Sequence, residues 1–168
     1  MLTSVMRSLG ETLRPVRPGV AMLSSSKFSG FLGYALKVSS PAFSDNQPMP
    51  VRFTLDGESL CPPLRWEGLP AQTQSAVLLV EDADIPLPRP LVHLIVHSIP
   101  PDKTEFDEGE IPLRLVGTAP GGWACGRNAL GRPGWTAPSP PPGRAMLLRT
   151  IRPHLIAQGR LIGTYERR

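Results

Sequence analysis

At 168 residues, with a formal charge of +4 and a pI near 9.6, the chain is sized for one domain with a core of its own and room for a short appendage at either end. Its eighteen lysines and arginines are scattered and only 6% of residues are aromatic, which excludes the basic, aromatic-interleaved stripe of a nucleic-acid binder. No stretch is apolar for long enough to span a bilayer, and the N-terminus lacks the continuous apolar run of a secretory signal. The expected setting is therefore cytoplasmic, with at most peripheral membrane contact.

In chain order, Leu2, Val5, Met6, Leu9 and Leu13 recur at helical spacing and predict a short amphipathic helix ending before Pro15. Residues 1–27 are read as an N-terminal helical extension and residues 28–168 as the domain proper. Through the domain, 21 prolines and 16 glycines across the whole chain punctuate short apolar runs, the pattern of a β-rich fold with long ordered loops. The clearest predicted strands are ALKVSS (35–40), VRFTL (51–55), SAVLLVE (75–81) and LVHLIVHSI (91–99). The last two are apolar on both faces and belong at the centre of a sheet, whereas VRFTL alternates and should keep one wetter face. Near the end, Met146, Leu147, Ile151, Leu155 and Ile156 follow 3.6-residue spacing and predict a C-terminal helix over 144–158, kinked at Pro153 and stopped by Gly159. GRLIGTY after it can form a last short strand.

The candidate chemistry lies in EDADIPLPRPLVH (81–93). Asp82, Asp84 and His93 suit chelation, acid/base work or recognition of a polar ligand. His97, four residues beyond His93, would share its face in a strand but stand about 13 Å away, too far to bind one ion, so no metal site is expected. His97 reads instead as a strand-end histidine with a satisfied hydrogen bond. Ser59, Ser98 and Ser139 lack a GxSxG setting. Cys61 and Cys125 stand apart from any CxxC or CxxH spacing and read as reduced, partly buried thiols.

Four segments in order, GESLCPPLRW (57–66), LLVEDADIP (78–86), LVHLIVHSIPPD (91–102) and GRNALGRPGWTAPSPPPG (126–143), resemble the signatures of the phosphatidylethanolamine-binding protein family, and in particular its bacterial Raf-kinase-inhibitor-like branch. The resemblance covers residues 35–143, and GTYERR is similar to the chain end of some bacterial members. It implies a mainly β fold of two antiparallel sheets in a Greek-key sandwich, with a small anion pocket at one end. By resemblance, that pocket is built from Asp82, Asp84, Pro86 and His93, with Pro140, Pro141 and Pro142 as a wall. The implied role is non-catalytic binding of a phosphate-containing small molecule or phospholipid head group, without a cofactor. A protein-interaction or protease-inhibitor module and a hydrolase using a carboxylate-oriented histidine are the alternatives. The chain departs from the family after Gly143, where a Gly-x-His-Arg motif and a long apolar strand are expected and RAMLLRTIRPH follows directly. The domain is thus read as truncated between 143 and 144, lacking the second pocket histidine, with GRLIGTY or a partner chain covering the gap. His154 is not taken as the replacement.

Overall fold

A computed structural model describes residues 22–23, 37–45, 47–83, 88–139 and, as backbone alone, 151–157. Its strands in chain order are β1 (Lys37–Ser39), β2 (Leu64–Glu67), β3 (Ala76–Asp82), β4 (Leu91–Ile99), β5 (Glu105–Phe106), β6 (Ala124–Cys125) and β7 (Ile151–Ala157). They form two antiparallel sheets, β1-β2-β5 and β6-β4-β3-β7. The two continuous apolar runs, β3 and β4, occupy the middle of the larger sheet as their sequence predicts. A strand buried on both faces has no polar side to turn toward water.

The core lies between the sheets. β2 alternates, turning Leu64 and Trp66 inward and Arg65 and Glu67 outward, and its inward residues join Val38 and Phe106 against Ala76, Leu78, Val80, Leu94, Val96 and Ile99 of the larger sheet. Trp66 meets Phe106 at a tilt, 5.5 Å between ring centroids, and Phe106 meets Trp123 edge-on at 5.0 Å. Burying each such side chain stabilises the fold by roughly 1.5 to 3 kcal/mol, so these rings hold the two layers together.

Two predicted elements take a different form. VRFTL is a single 3-10 turn over Val51–Phe53 rather than a strand. Pro50 starts it, Thr54 Oγ1 donates back to the Val51 carbonyl at 2.8 Å, and the Asp56 amide donates to Thr54 Oγ1 at 3.2 Å. These local side-chain bonds compete with a sheet ladder, and only Phe53 of the three apolar residues is buried. The predicted C-terminal helix is overturned over 151–157, where β7 pairs with β3 from Ala76↔Ala157 to Asp82↔Ile151. Ile and Leu side chains are as compatible with a strand as with a helix, and Pro153 decides against the helix interior. Among the described residues β7 is an edge strand, where a residue without an N–H is tolerated. The gap expected beside the central strands is therefore filled by 151–157. GRLIGTY, residues 144–150 and the predicted N-terminal helix lie outside the described residues.

Candidate functional site

Asp82 ends β3 and His93 lies near the start of β4, and the antiparallel pairing brings them together. The register runs Val80↔Leu94 and then Glu81↔Val92, so His93 is the extra residue of a bulge. Such an irregularity re-aims a side chain, and here His93 becomes buried while His97 is exposed. A second register shift lies between Ala76↔Ile99 and Leu78↔Val96, where Ser98 takes φ 56°. These shifts break the expectation that residues four apart share a face. His97 is the strand-end histidine predicted, its Nδ1 3.1 Å from Ser98 Oγ.

The His93 ring is fixed from one side. Nδ1 donates to the Thr136 carbonyl at 2.7 Å, and the ring lies 5.9 Å from Trp135. Nε2 is 4.0 Å from Asp82 Oδ2, with side chains only 2% and 9% exposed, and it has no hydrogen-bond partner. Burial lowers the His93 pKa below the usual histidine value, outweighing the Thr136 hydrogen bond and the Asp82 charge, which both raise it. With Nδ1 committed as a donor, the neutral ring presents an Nε2 lone pair beside a carboxylate. The pair can engage an anion only with a proton between them.

What holds Thr136 in place is Asn128, a residue the sequence reading did not single out. Its buried amide donates to Gly134 O at 3.0 Å and Thr136 Oγ1 at 2.6 Å, while its oxygen accepts from the amides of Leu130 and Arg132. Thr136 N and Ala129 N then bond the His93 and Val92 carbonyls, clamping the loop onto β4. A polar residue deep in a glycine-rich segment was the available signal. Trp135, also missed, has a buried indole N–H without a hydrogen-bond partner, a condition it shares with Trp66.

The structure thus joins Asp82 and His93. Asp84, Pro86 and Pro140, Pro141 and Pro142 fall outside the described residues. Cys61 and Cys125 are free thiols. Burial pushes the Cys61 thiol far up and Cys125 up to about 11. Among the described residues no group of three or more His, Cys, Asp or Glu is placed to hold a metal ion, and no helix is long and apolar enough to cross a membrane.

The model of the phosphatidylethanolamine-binding protein family matches residues 39–147, a span that runs from the last residue of β1 through β6 and contains the His93–Asp82 pair. The chain belongs to that family. A UPF0098 protein of Methanothermobacter thermautotrophicus is 30% identical over 154 residues, covering 79% of this chain and 99% of the relative. A UPF0098 protein of Mycobacterium tuberculosis is 34% identical over 175 residues, covering 90% and 81%. Among solved structures, a phosphatidylethanolamine-binding protein homologue from Chlamydia trachomatis superposes with a TM-score of 0.59 at 25% identity, covering 80% of this chain and 99% of that one. Escherichia coli YbcL superposes at 0.63 with 24% identity, covering 73% and 76%, and its likeness is one of fold.

Proposed function

We propose that this family member is a non-catalytic binding protein, Raf kinase inhibitor-like, for phosphate-containing small molecules or phospholipid head groups. The ligand site is built by Asp82, Asp84, Pro86 and His93 and walled by Pro140 to Pro142. The observation that carries the reading is the buried His93 Nε2, held in one orientation through Nδ1, beside Asp82 and without a hydrogen-bond partner. Buried polar atoms are ordinarily paired, and one that is both oriented and unpaired suits a ligand atom. Chain reach supports the remaining residues. In the sequence Asp84 is two residues past Asp82 and Pro140 four past Thr136, which supports including them in the same site. The domain reading, with 1–27 as an extension and 28–168 truncated after Gly143, belongs to the same proposal.

A hydrolase would need a nucleophile hydrogen-bonded to its base. Among the described residues, the His93 ring bonds only the Thr136 carbonyl, and Ser98 Oγ bonds His97. The binding reading is tested by NMR titration with phosphoethanolamine. At pH 7.5 the complex should take up about one proton, because a neutral His93 and a phosphate dianion must share one to make the contact. Calorimetry in two buffers of different ionisation enthalpy should show that uptake, and His93→Gln should remove it. Unshifted resonances around His93 at millimolar ligand would sink the reading, leaving the protein-interaction alternative.

A further inference from the structure

Thirteen of the fourteen acidic residues lie before Ile111, and the next one after Glu110 is Glu166. The loops of this acid-free stretch come together in space. Trp135 N donates to Pro112 O at 2.9 Å, Leu115 N donates to Pro133 O at 2.7 Å, and Arg127 bridges Pro133. Gly134 permits the approach, since a Cβ there would stand 2.6 Å from the Pro112 carbonyl oxygen, at a φ of +147°. The combined surface projects Leu113, Val116 and Leu130, which are 52%, 76% and 56% exposed. Arg114, Arg127 and Arg132 are exposed among them. None of these arginines pairs with a carboxylate among the described residues, whereas Glu105, Glu108 and Glu110 are already paired with Arg65, Arg52 and Lys103.

We propose that the loops 111–117 and 126–135 form a docking face for an anionic lipid bilayer. Leu113, Val116 and Leu130 enter the headgroup layer, and Arg114, Arg127 and Arg132 lie on its phosphates. Charge complementarity selects an anionic occupant, because three exposed arginines on two acid-free loops, none paired with a carboxylate among the described residues, favour negative charge. The apolar residues select a bilayer over a folded acidic partner. They are exposed side chains carried by two loops, Leu113 and Val116 on one and Leu130 on the other, and a fluid headgroup layer admits separate projections, whereas a rigid protein needs a matched pocket for each. A nucleic acid would use aromatic or polar side chains at these positions. The face leads along the chain from Arg132 to Thr136, the residue that holds His93, so docking would set the ligand site near the membrane surface. The inference stands on its own observations, independent of what His93 binds.

The test is co-sedimentation of the full chain with phosphatidylcholine vesicles and with vesicles of phosphatidylcholine and phosphatidylglycerol. Binding is expected only to the anionic vesicles and should weaken as salt rises from 0.05 to about 0.5 M, where screening shortens to a few ångströms. Each arginine at a membrane surface strengthens binding about fivefold. Arg114→Glu with Arg132→Glu should therefore weaken it at least about 25-fold at unchanged melting temperature, as should Leu113→Ser with Val116→Ser by a smaller factor. Arg65→Gln, which removes an exposed cation of β2 outside these loops, should leave vesicle binding intact, which assigns the effect to this face. Equal binding to neutral vesicles, no binding at low salt, or full binding by the arginine double variant would overturn the proposal. Retention on an immobilised acidic polypeptide without vesicle binding would replace the bilayer with an acidic protein.

Discussion

His93 keeps its neutral form in the folded protein because burial disfavours the imidazolium more than the Thr136 carbonyl and the Asp82 carboxylate favour it. In the unfolded chain the same ring titrates near the ordinary value of about 6.5. Below that value the unfolded state therefore binds a proton the folded state refuses, and stability falls as pH drops toward the folded pKa. Above it the contribution is fully present. The melting temperature of the wild type should fall more steeply between pH 7.5 and 5.5 than that of His93→Gln, since the surface carboxylates contribute alike to both. Parallel curves would mean that His93 is not held neutral. The residue types at 82 and 93 were readable from the sequence, but the tautomer was not. It depends on a carbonyl 43 residues away, and no local pattern announces such a contact.

At the level of elements, the clamp formed by Asn128 makes the site rigid. Asn128→Ala would leave the buried Gly134 carbonyl and the half-buried Thr136 hydroxyl without their partner, and would release the Leu130 and Arg132 amides of the exposed turn. An unsatisfied buried group costs about 1 to 3 kcal/mol, and grouped losses are less than additive. The expected destabilisation is about 2 to 4 kcal/mol by urea denaturation, with His93 ring resonances broadened as Thr136 loosens. Wild-type stability with unchanged His93 signals would remove Asn128 from this role. The continuous apolar runs of β3 and β4 were legible because they outlast any turn. β5 and β6, two residues each, carry no period to read. VRFTL had the alternation of a strand, yet Thr54 and Pro50 turned it into a 3-10 turn through bonds that a hydropathy pattern does not record.

The whole molecule depends on how its larger sheet is closed. In order β6-β4-β3-β7, the apolar strand β3 is central only because β7 covers its second side across seven register pairs. The same sequence read as a helix because its apolar residues fit both periods, and the strand that settles the matter, Ala76–Asp82, lies far earlier in the chain. That register also places His154 opposite Leu79, out of phase with Val80 and Asp82. The strand therefore supplies the ladder on the second side of β3 without placing His154 in register with Asp82. A net gain of roughly 0.5 to 1.5 kcal/mol per ladder hydrogen bond over such a strand rivals the 5 to 15 kcal/mol that stabilises a typical domain. Without β7, β3 would present an apolar edge with open N–H and C=O groups, the surface through which sheets aggregate. A chain ended after Thr150 should therefore lose its cooperative thermal transition and elute as aggregate on gel filtration. A chain ended after Ala157, which keeps the strand, should retain the transition. If the shorter chain melts within a few degrees of the longer one, β7 contributes nothing to stability and the sheet must be closed by another segment.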